Sequence, residues 1–462
     1  MLLPGVTIVK LYTQYHTNKK VMIGYIDSSS FPVYPYGEMM VSFSDYYIAW
    51  EPSSLSSGSF KMENSTYYFS SYSLSGGIFR FWGGEISPNA FYSNSSITKI
   101  QTNALKVRYR AFFKCSSLSE ITLTDCVYIG SEAFYSCFRI DSLYLPKCSY
   151  IGSEAFWYNG FTSISLPECT YIDDYAFEYG NFSELYLPKC SYIGNYAFYE
   201  CRSLKVLSLP ECTYIGNGAF YTSSALRSIS IPKCSYIGDQ AFLWNDIRGV
   251  ELNIPECTYI GSHAFAGLEV REISLPKCSY IGSQAFSVIG SLTKLYAPEC
   301  INIGSSAFYG CYNLSELELP KCVQISAFAF YSCNLSLSVL LPECTYIENN
   351  AFQSCYISEI SLPKCSYIGS SAFQSCVSLI QVNLPVCSYI SSNAFNDCRK
   401  LRTITLGSTS VCTLVSSNVF SGANYIWYSY GGSIFVPSSL VSAYKSASQW
   451  SYFSDRIYPI NN

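Results

Sequence analysis

The chain has 462 residues, a formal net charge of −4 and a charged fraction of only 13%, about half of what a soluble domain usually carries. So small a net charge over this length argues against nucleic acid or an anionic membrane as partner. No run reaches the ~18 to 20 apolar residues that a membrane helix needs, and polarity is supplied by Ser, Thr, Asn and 43 tyrosines.

Residues 1–78 contain no repeat. The β-prone runs VTIVKLY, KVMIGYI, YYIAW and STYYF alternate with Pro, Gly and Ser clusters, which predicts a small antiparallel β unit. Its expected work is to cover the open end of the repeat array that begins after it, or to attach the chain to a larger assembly. The opening MLLPGVTIVKLYTQ has neither a basic leader nor a continuous apolar run, so it does not read as a signal peptide. The other end shows no wall-sorting or anchoring pattern.

Residues 79–426 are near-copies of one unit of about 22 residues. The stretch from Leu204 to Phe220, LKVLSLPECTYIGNGAF, shows it, with Leu204, Leu207, Leu209 and Cys212 in the pattern L-x-x-L-x-L-x-x-C. One such rung cannot bury its own apolar face, so the rungs must stack. An Ala-Phe pair recurs in phase, with Phe at 91, 112, 134, 156, 177, 198, 220, 242, 265, 286, 308, 330, 352, 373 and 395, and Val419-Phe420 as a last imperfect copy. Within a rung L-x-L predicts a short strand that Pro ends, because Pro cannot donate to a ladder. Tyr-Ile-Gly then turns the chain, with Gly relieving backbone strain. Ala-Phe packs a tight turn or short helix on the opposite side. The expected fold class is an α/β-type solenoid, mostly β: a right-handed leucine-rich-repeat superhelix with an N-terminal β-rich cap and a C-terminal capping segment.

Of 22 cysteines, thirteen share one repeat position, from Cys126 to Cys387, and eight follow an Ala-Phe pair, at 115, 137, 201, 311, 333, 355, 376 and 398. A residue fixed in repeat phase is fixed by packing, which suits a free, buried thiol. Bridging between rungs is the alternative, since strand spacing lies at the short end of disulfide separations. With no C-x-x-C pair and only His16 and His263, no metal and no other cofactor is expected.

The residue between Pro and Cys alternates in sign: Asp125, Lys147, Glu168, Lys189, Glu211, Lys233, Glu256, Lys277, Glu299, Lys321, Glu343, Lys364, with Val386 ending the series. Each charge therefore lies one strand spacing from opposite charges, which favours correct register. Residues 427–462 leave the repeat. Ser438 or Ser439 is expected to cap a short helix with Leu440, Tyr444 and Ala447 on one face. Trp450 and the run Ile457 to Ile460 are expected to plug the last rung.

Recognition by a solenoid uses strand residues that point away from the core. Those positions make a hydroxyl-rich, mildly acidic stripe, and its binding candidates are Tyr144, Glu184, Tyr186, Glu272, Lys294, Tyr296, Glu316, Glu318 and Glu359. A solvated sheet face kept polar against aggregation reads equally well. The Tyr of Tyr-Ile-Gly forms a second stripe from Tyr150 to Tyr389, interrupted by Asn302 and Gln324. It is read first as structural stacking and second as a binding face. No catalytic motif stands out, so no enzyme activity is expected.

Rungs such as LPECTYIGNGAF and LPKCSYIGSSAFQSC resemble the BspA-like leucine-rich repeats of bacterial surface proteins. The tail VPSSLVSAYKSASQWSYFSDRI is similar to the segment that closes many of them. The resemblance implies a cell-surface or secreted, adhesin-like binding protein. The polar stripe suits a protein or glycan ligand on a host or neighbouring cell, and the chain is expected to be a monomer. The alternative is a virion- or assembly-associated receptor-binding protein that attaches through residues 1–78.

Overall fold

The rung from Ile140 to Phe156, IDSLYLPKCSYIGSEAF, shows how the repeat folds. Ile140, Leu143, Leu145, Cys148, Ile151, Ala155 and Phe156 are all buried, and they are the periodic positions. Ser142–Tyr144 is a strand whose outer residues are exposed and whose central Leu143 is buried, the alternation of a half-buried strand. After Pro146 the chain turns, and Tyr150–Ile151 forms a second short strand, pairing in parallel with Tyr128–Ile129 and Tyr171–Ile172.

The computed structural model describes the backbone of residues 49–54, 57–62, 65–70 and 78–81, and residues 85–460 apart from 87, 96, 246, 248–251, 336–338 and 429–430. The chain divides into two units, Met1–Pro210 and Glu211–Asn462. In the first, Ala49–Ser54, Ser57–Met62 and Ser65–Ser70 pair antiparallel. The runs VTIVKLY and KVMIGYI, and His16, lie outside the described residues. Ile78–Phe81, Lys99–Thr102 and Glu120–Leu123 then pair in parallel. A ladder of two-residue strands runs from Glu85–Ile86 to Tyr192–Ile193.

In the second unit the corresponding ladder runs from Tyr214–Ile215 to Thr413–Leu414. Its L-x-L strands form one parallel sheet from Leu252–Asn253 to Glu316–Glu318. Another continues from Val339–Leu340 through Ser433–Val436 to Ile457–Pro459. The protein is thus a β-solenoid. Among the described residues, α-helix is confined to Asn424–Trp427 and Val441–Ser446.

Within each unit the Phe side chains stack into a spine, with ring centres 4.9 Å apart for Phe91 and Phe112 and 5.4 Å apart for Phe373 and Phe395. The Ala-Phe segment is a turn in every described rung. It is built from left-handed residues on either side of the pair, as at Glu132 (φ 54°) and Ser136 (φ 55°). Their N–H groups donate to the next rung, Glu132 to Ser153 O and Ser136 to Trp157 O, both at 2.8 Å. These bonds offset the cost of placing L-residues there. Glycine in Tyr-Ile-Gly has a different reason from the expected one. Gly152 has no left-handed φ; instead a Cβ there would lie 2.6 Å from Ser131 N and 2.8 Å from Gly130 C. Close approach of two rungs, rather than backbone strain, selects it.

The C-terminal segment closes on the last rung. Phe420 meets Phe453 edge-on at 5.3 Å, and Trp450 Nε1 donates to Cys412 O at 2.7 Å. The expected serine cap is not formed. The 3-10 turn Ser438–Leu440 starts after Pro437, and neither it nor the helix Val441–Ser446 has a side-chain cap, because the turn runs straight into the helix and Leu440 is already helical.

Candidate recognition surface

Strand alternation places the predicted residues on outward positions. In the first unit Tyr144 and Tyr186 are 60% and 63% exposed. Tyr144 lies opposite Ser165, and Glu184 and Tyr186 lie opposite Val206 and Ser208. In the second unit Glu272, Lys294 and Glu316 occupy successive register positions, and Ser274, Tyr296 and Glu318 lie beside them. Lys294 Nζ is 3.1 Å from Glu316. That hydrogen bond, with the charges of Glu316, Glu272 and Glu318, raises the ammonium above its ordinary range. Glu359 is exposed, opposite Gln381.

The face also carries a residue absent from the predicted stripe. Leu340, at the outward position of Val339–Leu340, is 68% exposed. Its phase in SVLLPEC was the available signal, obscured by three consecutive apolar residues.

The tyrosine stripe is a set of parallel rings. Tyr171 and Tyr192 are 4.3 Å apart at 1°, and Tyr346 and Tyr367 are 4.3 Å apart at 4°. The rings spend their faces on one another and leave edges and hydroxyls outward, as Tyr150 Oη does in donating to Asp173 Oδ2 at 3.0 Å. Partial burial, then the neighbouring Tyr171, pushes the Tyr192 hydroxyl up to about 12.

The alternating charges pair in one direction. Lys147 closes on Asp125 at 2.5 Å, Lys189 on Glu168 at 2.6 Å, Lys277 on Glu256 at 2.6 Å and Lys364 on Glu343 at 2.6 Å. Each lysine thus takes the acid of the preceding rung.

All 22 cysteines are free and buried. Those of the first ladder donate Sγ–H within their own rung, as Cys126 does to Tyr128 O at 3.3 Å. Those after Ala-Phe donate to the preceding rung, as Cys137 does to Phe112 O at 3.0 Å. Burial pushes the Cys126 and Cys212 thiols up to about 12, so they are poor nucleophiles. His263 sits in a left-handed turn position, φ 57°. Among the described residues no group of His, Cys, Asp and Glu could hold a metal ion, and no helix is long and apolar enough to cross a membrane.

This repeat geometry agrees with the family comparison. The BspA type Leucine rich repeat region (6 copies) matches residues 84–190, 127–248, 170–288, 235–342 and 323–433. The chain belongs to the BspA-type leucine-rich-repeat family. Among solved structures, a leucine-rich repeat protein from Bacteroides ovatus is 22% identical, with 79% of this chain and 94% of that chain covered and a TM-score of 0.49. A leucine rich cell surface protein from Faecalibacterium prausnitzii is 18% identical, covering 86% of this BspA-type chain and 88% of that one, with a TM-score of 0.34. The pneumococcal vaccine antigen PcpA is 14% identical, covering 83% and 84%, with a TM-score of 0.33. No curated protein matches the chain.

Proposed function

We propose that this BspA-type chain is a non-enzymatic recognition scaffold, adhesin-like and cell-surface or secreted. Its outward strand face would take a protein or glycan ligand on a host or neighbouring cell. The observation that carries this reading is the contrast between inward and outward positions. Inward positions repeat almost unchanged, whereas the outward first and third residues of successive strands are Ser and Tyr, Ser and Ser, Glu and Tyr, Val and Ser in the first unit and Glu and Ser, Lys and Tyr, Glu and Glu in the second. Solvation alone asks only for polar residues there. It does not ask for two tyrosines, Tyr144 and Tyr186, about 60% exposed or more, a residue type favoured where proteins meet ligands.

The test compares the full chain with a variant carrying Glu184→Ala, Tyr186→Ala, Glu316→Ala and Glu318→Ala. Both are used as bait in host and bacterial surface extracts, and ligands retained by the native chain are assayed against the variant. Loss of binding with an unchanged circular dichroism spectrum supports the strand face. Equal binding by both proteins rejects it.

A further inference from the structure

The turn side of the first unit carries a run of stacked rings interleaved with carboxylates. Rings of Tyr92, Phe113, Tyr135 and Trp157 stack in sequence, 4.4 Å separating the last two. Beyond them Tyr158 and Tyr179 meet edge-on at 5.8 Å, and Tyr175 stacks on Tyr196 at 5.1 Å. Tyr158 is 54% exposed, and Tyr175 and Tyr179 are exposed beside it. Carboxylates are interleaved: Glu132, Glu154, Glu178 and Glu200. At the corresponding repeat positions of the second unit the acids give way to residues such as Gln284, Ser306, Asn350, Gln353 and Gln374, while some rings persist, Tyr309 stacking on Tyr331 at 4.9 Å. Packing therefore does not require the acids there.

One position of this surface already holds its ligand from within the chain. Arg110 Nε and Nη2 donate to the two carboxylate oxygens of Glu132 at 2.9 and 3.0 Å. The same guanidinium lies 4.8 Å from the Tyr109 ring centre and 5.0 Å from that of Phe113. A forked ion pair against aromatic rings is a strong way to hold a guanidinium. One rung on, the constellation recurs without its cation. Glu154 takes the place of Glu132 and Tyr135 that of Phe113, but the place of Arg110 is filled by Glu132 itself. Glu154 makes no ion pair among the described residues. At the far end Arg202 pairs with Glu200 at 2.9 Å, and Glu178 accepts the indole N–H of Trp157 at 2.9 Å. The carboxylates without an ion pair among the described residues, Glu154 and Glu178, thus lie in the middle of the patch, and Arg110 acts on Glu154 only as a weaker, lowering influence. Partial burial, then the Glu132 charge, holds the Glu154 carboxyl above its ordinary range. Tyr135 is raised by burial and then by Glu154, Glu132 and Glu178.

We propose that this patch is a second interaction surface, which docks an arginine side chain of a protein partner on Glu154, flanked by the rings of Tyr135 and Tyr175. Arginine fits better than lysine, because only a planar fork can bond a carboxylate bidentately while lying against rings. The surface is separate from the strand face, and its failure would leave that reading untouched.

The experiment titrates the full chain with a fluorescently labelled peptide of alternating Arg and Gly, and with its Lys counterpart, near physiological salt. Fluorescence anisotropy should show the Arg peptide binding more tightly. Glu154→Gln should weaken it on the order of five- to tenfold. Glu154→Arg, which replaces the accepting carboxylate with a like charge, should abolish binding. The strand-face variant Glu316→Gln/Glu318→Gln should bind as the native chain does, and circular dichroism should show all variants folded. Equal binding of Arg and Lys peptides, native-like binding by E154Q, or equal weakening by the strand-face variant would each overturn the proposal.

Discussion

Asn159 donates its side-chain amide to Phe134 O at 2.9 Å, in the repeat position from which Cys137 gives its thiol to Phe112 O at 3.0 Å. Asn245 does the same towards Phe220 O at 2.9 Å. The cysteines after Ala-Phe are therefore donors, and asparagine takes over that role at 159 and 245, whereas Leu268 and Ile289 fill the same column without a side-chain donor. The substitution is imperfect. Asn159 is 2% exposed and its Oδ1 has no hydrogen-bond partner. Such an orphan acceptor costs about 1 to 3 kcal/mol. Asn159→Cys keeps the donor and removes the orphan, so it should stabilise the protein by about 1 kcal/mol. Urea denaturation measures this, and an equal or lower midpoint would show that the amide oxygen is satisfied by solvent.

The sequence is most legible where packing leaves no freedom. Leu143, Leu145, Cys148, Ile151 and Phe156 all face the core, so their period announces the solenoid. The left-handed turn positions could not be read in this way. Glu132, Tyr158, Thr222 and Val288 all have positive φ, yet share no side-chain property, because rung-to-rung backbone bonds stabilise them. Lysine's choice of the preceding acid also left no mark, since strict alternation is symmetric. The turn-side patch is hidden in the sequence for another reason. Its rings and acids occupy several repeat columns, and only the stacked structure sets them on neighbouring rungs. On the strand face the outward positions of Glu184 and Tyr186 were legible as a phase; the ligand they meet is a matter of chemistry outside the repeat.

The end of the second unit offers a prediction about closure. Trp450 is buried, lies 6.1 Å from Phe420, and bonds Cys412 O through its indole N–H. Tyr444 accepts the Cys412 N–H at 2.9 Å and meets Trp450 edge-on at 5.3 Å. Trp450→Ala should cost about 3 to 5 kcal/mol and uncover the end of the Phe spine. Thermal melting should fall, and amides of Thr403–Leu406 and Thr413–Leu414 should exchange faster. Tyr452→Ala, at an exposed position nearby, should change neither. If both variants melted alike, the segment would not be a plug.

The charge pairs are predicted to matter for register rather than for bulk stability. Lys321 lies 2.6 Å from Glu299, and both are about half exposed. Lys321→Glu sets three acids in a row, between Glu299 and Glu343, and should cost about 1 kcal/mol. The exchange Glu299→Lys/Lys321→Glu restores an opposite pair between these two rungs but sets like charges against Lys277 and Glu343, so a double-mutant cycle should recover little of the loss. A double variant as stable as the native protein would show that the flanking charges do not couple and that the alternation does not act on register.

Buried thiols should make the fold sensitive to alkali. Burial pushes Cys126, Cys169, Cys212 and Cys278 from an ordinary 9.0 up to about 12. Below the unfolded value these thiols are protonated in both states, so their contribution is constant. Between 9.0 and about 12 the unfolded chain releases protons that the folded chain retains. Stability then falls as pH rises, by ~1.4 kcal/mol per pH unit for each thiol, or roughly 5.6 kcal/mol per pH unit for these four. The urea midpoint should therefore be flat from about pH 6 to 8.5 and drop steeply by about pH 10. In denaturant a thiol reagent should count close to 22 groups, and in the folded protein at neutral pH almost none. A flat midpoint through about pH 10, or a count near zero in denaturant without reductant, would mean that the ladders are bridged rather than free.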